Sequence, residues 1–266
     1  MRAIACGFVG LWMLVAACSK PDSAATVQRE PAPSTPPVAA AVSAPTVLAL
    51  AVADANRPAE DIARDAARKP IEVLAFAGVK AGDKVVDLLP GGGYFTRILS
   101  KAVGANGRVY ALTPPANSRD AQPAADEIAA NPAYGNVSVL QLSGPIVLPE
   151  PVDLFWTAQN YHDLHLTRLQ MNVPAFNKSI FAALKPGGVF VVLDHAALPG
   201  SGLGVPDTLH RIDPEIAKQE VVAAGFVYEG ESTMLRNPAD PLTESAFDSS
   251  IRGNTDQFIY KFRKPR

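Results

Sequence analysis

The segment KVVDLLPGGGYFTRILSKAV, residues 84–103, decides the fold. It begins with a mostly apolar run, as expected of a strand that is buried on both faces. Three consecutive glycines follow, and Phe95, Ile98, Leu99 and Ala102 then recur at the spacing of one helix face. A strand, a glycine turn and a helix in this order predict a ligand-binding turn at the end of the first strand of an α/β sheet.

Strands and helices alternate along the rest of the chain. The pattern predicts one helix before Pro70, a second from Ile71 to Gly78, and further helices over 119–131, 172–188 and 214–226. It predicts strands over 84–89, 107–113, 136–143, 152–159, 189–196, 226–235 and 257–264. This order indicates a mostly parallel seven-stranded sheet between helices, ending in an antiparallel strand pair.

Composition excludes several functions. The net charge is −2, and no block of Lys or Arg forms a basic stripe, so we expect no nucleic-acid partner. Cys6 and Cys18 are the only cysteines. The folded part therefore has no thiol nucleophile, disulfide or cysteine metal ligand.

The first residues have the layout of an export signal. Arg2 precedes an apolar run over 4–17, which predicts a signal peptide over 1–17. The sequence Val15-Ala16-Ala17-Cys18 resembles the bacterial lipobox, which implies cleavage before Cys18 and its lipidation. Because Ser19 replaces the Asp of inner-membrane retention, anchoring at the outer membrane, facing the periplasm, is favoured. An ordinary secretory signal with a fortuitous cysteine is the alternative.

Residues 18–52 are rich in Pro, Ala, Ser and Thr, which predicts a flexible tether after the lipidated cysteine. We expect residues 53–266 to form the folded, functional domain. The only membrane contact we expect is the lipid anchor, because the apolar run is too short to span a bilayer comfortably.

Three types of cofactor-binding turn are alternatives for the glycine segment. A P-loop ends in Gly-Lys-Ser/Thr, whereas Gly93 is followed by Tyr94. A dinucleotide turn needs a third glycine where Thr96 stands. The segments VVDLLPGGGYFT, LKPGGVFVVLDHA, EVVAAGFVYEGE and GNTDQFIYKFRKP together resemble the class I S-adenosylmethionine-dependent methyltransferases, and in particular a bacterial group of predicted methyltransferases.

This resemblance covers about residues 57–264 and implies a Rossmann-like fold with S-adenosyl-L-methionine as cofactor. It also implies cofactor-binding roles for the residues at the turn and at the ends of the second and fourth strands: Asp87, Pro90, Gly91, Gly92, Gly93, Thr113 and Asn160. Asp87 would face the ammonium group of the cofactor. The amides that open the helix would favour its carboxylate.

Two positions depart from the family pattern. Leu89 stands where the first glycine of the turn is usual. The second strand ends in Leu112-Thr113 and lacks the acidic residue that commonly binds the ribose hydroxyls, so Thr113 is the available substitute. These departures keep open a second interpretation, a non-catalytic ligand-binding lipoprotein with a degenerate methyltransferase fold.

The loop after the fourth strand, WTAQNYHDLHLTR, is where this fold presents groups to the transferred methyl. We expect His162 to be the base or to position the acceptor, because a histidine pKa lies near about 6.5. Tyr161 would shape the pocket. Asp163 would orient His162 or cap the next helix.

A metal site built from His162, Asp163, His165 and His195 is a weaker alternative, and we expect no metal. Arg211 is a candidate lid or acceptor contact. Asp213-Pro214 predicts a helix start, with Asp213 as the N-cap. The resemblance to the class I methyltransferases implies methyl transfer from S-adenosylmethionine to a small-molecule acceptor.

Overall fold

The computed structural model describes residues 44–266. A seven-stranded sheet runs through this part of the chain in the order β3-β2-β1-β4-β5-β7-β6. The strands are β1 (Lys84–Leu88), β2 (Arg108–Thr113), β3 (Val137–Gln141), β4 (Val152–Ala158), β5 (Leu184–His195), β6 (Val227–Ser232) and β7 (Gln257–Arg263). Only β7 is antiparallel to its neighbours β5 and β6. The predicted α/β fold, with its terminal antiparallel pair, is confirmed.

Helices cover both faces of the sheet. They are α1 (Ala44–Val52), α2 (Ala59–Ile62), α3 (Asp65–Arg68), α4 (Pro70–Ala77), α5 (Tyr94–Val103), α6 (Ala124–Ala130), α7 (Val173–Ala183), α8 (Val205–Leu209) and α9 (Pro214–Ala223). One core lies between the sheet and α1, α4, α5 and α6, and a second core lies between the sheet and α7 and α9. Successive residues of β4, such as Phe155 and Trp156, belong to opposite cores, which explains the unbroken apolar run of this strand.

The predicted tether over residues 18–52 extends too far towards the C-terminus. Helix α1 falls inside residues 18–52, and its side chains Leu48 and Ala51 are buried against the core that contains α4 and α5. Tyr134 also donates a hydrogen bond to Asp54 at 2.9 Å. The folded domain therefore begins before residue 53, because the run APTVLALAV carries enough apolar side chains to pack.

Several element boundaries also differ from prediction. The single helix expected before Pro70 is two short helices, α2 and α3, and the left-handed residue Lys69 separates α3 from α4. The helix expected over 119–131 is shortened to α6, and β5 begins at Leu184 instead of after the glycine pair. The short helix α8 was not predicted.

The predicted signal peptide and the lipidation site Cys18 lie outside the described residues. Within residues 44–266, none of the helices combines the length and apolar character that crossing a bilayer requires.

Candidate functional site

The glycine turn connects β1 to α5 at the carboxyl end of the sheet. Gly91 and Gly93 have φ angles of +59° and +78°. A Cβ atom on Gly93 would also lie 2.1 Å from Cδ1 of Ile128, so packing and backbone conformation both require glycine there. A Cβ atom on Gly91 or Gly92 would meet nothing within 4 Å. These two glycines therefore leave the turn open towards a ligand.

Leu89 adopts the left-handed conformation that its missing glycine would supply. Its φ angle is +52°. Its amide donates to Leu112 O at 2.9 Å, and its carbonyl accepts from Nδ2 of Asn160 at 2.8 Å. The turn therefore keeps the shape of a glycine turn at this position, although the left-handed conformation is strained for a leucine.

A cleft of about 240 Å³ opens beside the turn. Among the predicted site residues, the structure places six in its wall: Asp87, Pro90, Gly91, Gly92, Asn160 and Asp163. Four others are not part of this wall: Gly93, Thr113, Tyr161 and His162. The carboxyl ends of β1 and β4 thus bring most of the predicted residues together.

Asp87 lies in the cleft wall with only 2% of its surface exposed. Its Oδ2 accepts a hydrogen bond from the hydroxyl of Thr96 at 2.7 Å. Within residues 44–266 no Lys, Arg or His forms an ion pair with it. Burial raises the pKa of Asp87 to about 7, and the Thr96 hydroxyl only partly opposes this shift. Asp87 is therefore a buried carboxyl group whose charged form a cationic ligand would stabilise.

Thr96 occupies the position at which a dinucleotide turn has its third glycine. Its side chain is fully buried, and its hydroxyl is the group that bonds to Asp87. This contact explains why a hydroxyl residue, and not glycine, stands in the first turn of α5.

Arg64 and Arg68 line the same cleft and were missed from the sequence. The guanidinium of Arg68 lies 4.6 Å from the ring centroid of Tyr94 and donates to Oε1 of Gln159 at 2.6 Å. In the described part of the chain, no carboxylate lies within 4.0 Å of it. Burial lowers the pKa of Arg68, and the charge of Arg64 lowers it further. Basic residues on a short helix are common, so no pattern in the sequence indicates this role.

Asn160 stabilises the turn through its side chain. Its Nδ2 donates to the carbonyls of Leu88 and Leu89 at 3.0 and 2.8 Å, and its Oδ1 accepts from the hydroxyl of Thr157. The predicted cofactor-binding residue is therefore a support for the turn as well as part of the cleft wall.

His162 is buried behind the cleft and bonded to Asp194 at the end of β5. The backbone amide of His162 donates to Oδ2 of Asp194 at 2.7 Å, and its Nδ1 lies 2.8 Å from Oδ1. Burial opposes charge on the ring, but the charge and hydrogen bonds of Asp194 outweigh it, so the pKa of His162 is raised. The ring is 3.4 Å from Asp163 through Nε2. Asp194 therefore holds the His162 ring, while Asp163 lies near its Nε2 and faces the cleft.

Asp163 is half-buried and faces the cleft. Burial raises its pKa, and nearby Asp194 adds to this effect while His162 opposes it. The prediction that Asp163 caps a helix is wrong, because it lies inside the short 3-10 helix His162–His165, whose N-cap residue is Tyr161.

Tyr161 does not shape the pocket as predicted. Its side chain is fully buried in the core beneath α7 and α9. Its hydroxyl lies 3.0 Å from Oε2 of Glu220, to which it donates, and accepts from Nδ2 of Asn177 at 2.7 Å. The chain turns into a 3-10 helix directly after Asn160, which directs this ring away from the cleft.

The remaining predicted residues have structural partners. Thr113 is buried, with its hydroxyl 3.5 Å from Leu140 O, so it does not reach the cleft. Arg211 is fully buried and paired with Asp240 at 2.8 Å, and its predicted role as a lid or acceptor contact is wrong. Asp213 caps α9 as predicted, accepting from the amide of Glu215 at 2.9 Å.

His165 and His195 do not join His162 and Asp163 in the combination predicted as an alternative metal site. His165 lies 3.1 Å from Glu220, and His195 lies 2.6 Å from the hydroxyl of Thr255. Burial lowers the pKa of His195 to about 4. His210 approaches the loop instead, with Nδ1 3.9 Å from Oδ1 of Asp163.

A second cavity of about 340 Å³ adjoins the cleft through Leu89, Gln122 and Asp163. Its wall includes apolar side chains from the loops after β2, β3 and β4, such as Pro114, Leu142 and Met171. It also contains Asp120, which is paired with Arg168 at 2.5 Å. Asp120 follows β2 by several residues and was missed, because the sequence pattern looks for an acid directly at the strand end.

Solved structures share this fold. An S-adenosylmethionine-dependent methyltransferase from Aquifex aeolicus superposes with a TM-score of 0.52 at 21% identity, over 72% of this chain and 87% of that chain. One from Mesorhizobium loti gives a TM-score of 0.51 at 17% identity, over 76% of this chain and all of that chain. The [4+2]-cyclase SpnF gives 0.50 at 18% identity, over 80% of this chain and 84% of that chain.

No protein-family model matches the sequence, and no curated protein matches it. The described residues have the fold of the class I methyltransferases. Since one neighbour with this fold is a cyclase, the fold alone does not determine the reaction.

Proposed function

We propose that the protein binds S-adenosyl-L-methionine in the cleft and transfers its methyl group to a small-molecule acceptor. One observation carries the proposal. Among residues 44–266, the cleft combines a buried carboxyl group that has no ion-pair partner, Asp87, with a guanidinium that has none, Arg68. The ammonium and carboxylate groups of an amino acid are the charges that such a pair binds. The amino-acid end of S-adenosylmethionine carries both.

The residues around the turn fit the rest of this cofactor. Gly91 and Gly92 leave the backbone accessible beside Asp87 and Arg68. The adjoining apolar cavity is suited to a nucleoside, and Asp120 offers an acid for hydroxyl groups there. The bound cofactor would supply a methyl group activated by a sulfonium.

The exposure of the side chains in the loop after β4 indicates which of them faces the acceptor. Asp163 lines the cleft, whereas His162 is buried behind it. We therefore assign the acceptor contact and the receipt of its proton to Asp163. His162, held by Asp194, positions that carboxylate through Nε2.

Calorimetric titration of the full chain with S-adenosylmethionine and S-adenosylhomocysteine tests the cofactor site. Asp87→Asn should abolish or strongly weaken binding, by roughly 10-fold or more, because a charge-assisted bond contributes about 1.5–3 kcal/mol. Asp153→Asn is the matched control, since Asp153 pairs with Lys185 near the start of β4, at the other end of the sheet. Unchanged affinity in Asp87→Asn would contradict the site.

Decarboxylated S-adenosylmethionine separates the role of Arg68 from that of Asp87. Arg68→Met should weaken the binding of S-adenosylmethionine by roughly 10-fold or more, because the variant also loses a charge-assisted bond. The decarboxylated analogue lacks the group that Arg68 would bind, so its affinity should be the same for this variant and the wild type. Equal losses for both ligands would show that Arg68 only supports the fold of the cleft.

Export and anchoring belong to the same proposal. A lipid anchor on Cys18 would place the domain on the outer side of a bacterial membrane, where the supply of S-adenosylmethionine is the main difficulty for an enzyme. Metabolic labelling with a radioactive fatty acid should mark the wild type and not Cys18→Ser. Fractionation that finds an uncleaved chain in the cytoplasm would contradict the anchor and favour catalysis there.

A ligand-binding lipoprotein is the competing function. Its support is the leucine in the turn and the absence of an acid directly after β2. Cofactor binding with no methyl transfer to any acceptor, in the compartment where the chain is found, would favour it. Failure to bind either cofactor form would leave a methyltransferase-shaped domain whose ligand is different.

A further inference from the structure

Three side chains beside the cleft present possible metal ligands to one point. They are His162, Asp163 and His210, and their ligand atoms all lie within 4.8 Å of one another. Nε2 of His162 is 3.4 Å from Oδ1 of Asp163, and Nδ1 of His210 is 3.9 Å from the same oxygen. Two imidazoles and one carboxylate form a donor set typical of divalent first-row transition metals.

His162 already has the second contact that metal-bound histidines usually make. Asp194 lies 2.8 Å from its Nδ1, and this bond fixes which ring nitrogen carries the proton. The lone pair of Nε2 is then directed towards Asp163. A carboxylate behind a histidine fixes the orientation of the ring and raises its basicity as a ligand.

His210 is held in place by its neighbours along the chain. It ends α8 in a left-handed conformation, with φ +51° and ψ +52°. Its ring packs on Phe247 at a centroid distance of 4.6 Å. The next residue, Arg211, is buried and donates to Ala196 O and Asp240 at 2.9 and 2.8 Å. The imidazole is therefore fixed opposite the loop after β4 although it is partly exposed.

We propose that His162, Asp163 and His210 bind a divalent transition-metal ion, with Zn²⁺ the best match to these nitrogen and oxygen donors. The ion would lie between Nε2 of His162 and the carboxylate of Asp163. Small movements of the side chains are sufficient, since ligand atoms around a zinc ion are about 3–3.5 Å apart when each lies about 2.1 Å from the metal.

The position of this site gives the ion a role. Three protein ligands leave coordination positions for water or another oxygen donor. Because Asp163 also lines the cleft, an acceptor with a hydroxyl or carboxylate group could bind the ion directly. Metal binding itself is independent of the proposed function, whereas this role in holding the acceptor rests on it.

The full chain, stripped with a chelator, can be titrated with Co²⁺ and followed by its visible absorption, which reports coordination geometry. Zn²⁺ affinity is then obtained by competition. The titrations use a background in which Cys6 and Cys18 are replaced by serine, because thiols elsewhere in the chain bind both metals. The expected result is one saturable site per chain.

His210→Gln and Asp163→Asn should each weaken Zn²⁺ binding by about 10–100-fold or more, since loss of an outer-shell partner alone has effects of that size. His165→Gln is the matched control, because His165 contacts Glu220 and lies outside the cluster. Its Zn²⁺ affinity should equal that of the parent chain. Circular dichroism checks that each variant remains folded.

Absence of saturable metal binding in the parent chain would overturn the proposal. It would also be overturned by equal affinities in His210→Gln and the parent. S-adenosylmethionine binding, measured on the same preparations without metal, is decided by Asp87 and Arg68 instead. A failed metal site and a failed cofactor site can therefore be distinguished.

Discussion

Replacing Asp87 by asparagine should remove a pH-dependent loss of stability from the wild-type protein. Burial raises the pKa of this carboxyl from 3.8 to about 7 in the folded state. Between these values the folded protein holds a proton that the unfolded chain has released. The free energy of unfolding therefore falls as the pH rises from about 4 and levels off above about 7. Asparagine has nearly the same shape and does not titrate.

The size of the effect follows from the two pKa values. Above pH 7 the shift of about three units corresponds to a loss of about 4 kcal/mol, because each unit is worth about 1.36 kcal/mol. At pH 5 less than half of this loss has developed. The wild type should therefore lose roughly 2–3 kcal/mol more than the Asp87→Asn variant between pH 5 and pH 8.

Urea denaturation of both proteins at the two pH values measures this difference. All other titrating groups contribute equally to the wild type and the variant, so the double difference isolates Asp87. Equal urea dependence of the unfolding free energy in the four experiments verifies that the two proteins expose similar surface. Parallel changes in the wild type and Asp87→Asn would refute the raised pKa. They would also remove the main argument for a cationic ligand at this position.

Three further substitutions test the packing that supports the site, each measured by urea denaturation. Gly93→Ala should destabilise by about 1–3 kcal/mol, because its Cβ would lie 2.1 Å from Ile128 Cδ1; an unchanged midpoint would show that the turn relaxes. Arg211→Met should cost about 3–5 kcal/mol by leaving a buried carboxylate unpaired, and a loss below about 1 kcal/mol would contradict the ion pair. Leu48→Ala should cost about 2–5 kcal/mol; no loss would mean that α1 does not belong to the core.

The sheet and most of the cleft wall could be predicted because they depend on local patterns. Apolar runs identified the strands that are buried on both faces, and the glycine turn placed Asp87 and Gly91 at the end of β1. The alternation of strands and helices then predicted the parallel sheet. Helix α1 was missed because its alanines continue the composition of the Pro- and Ala-rich segment before it, and only packing distinguishes the two.

The parts of the site that were missed depend on contacts between distant segments. His210 reaches Asp163 only because a buried ion pair fixes the chain beside β5, and no spacing in the sequence shows this. The role of Arg68 depends on its having no carboxylate within 4.0 Å among residues 44–266, which is a property of the fold. Tyr161 was misassigned for the opposite reason, since neighbours in a loop can point in opposite directions where the chain enters a 3-10 helix.

The strain at Leu89 bears on the choice between an enzyme and a degenerate binding protein. A left-handed leucine costs about 1–2 kcal/mol, and its backbone is held by Leu112 and Asn160 from two other strand ends. The surrounding fold therefore imposes the turn's shape without help from a ligand. The acid absent after β2 likewise has a counterpart, Asp120, in the adjoining cavity. The contacts that hold Leu89 and the position of Asp120 therefore favour the proposed cofactor site over the degenerate alternative.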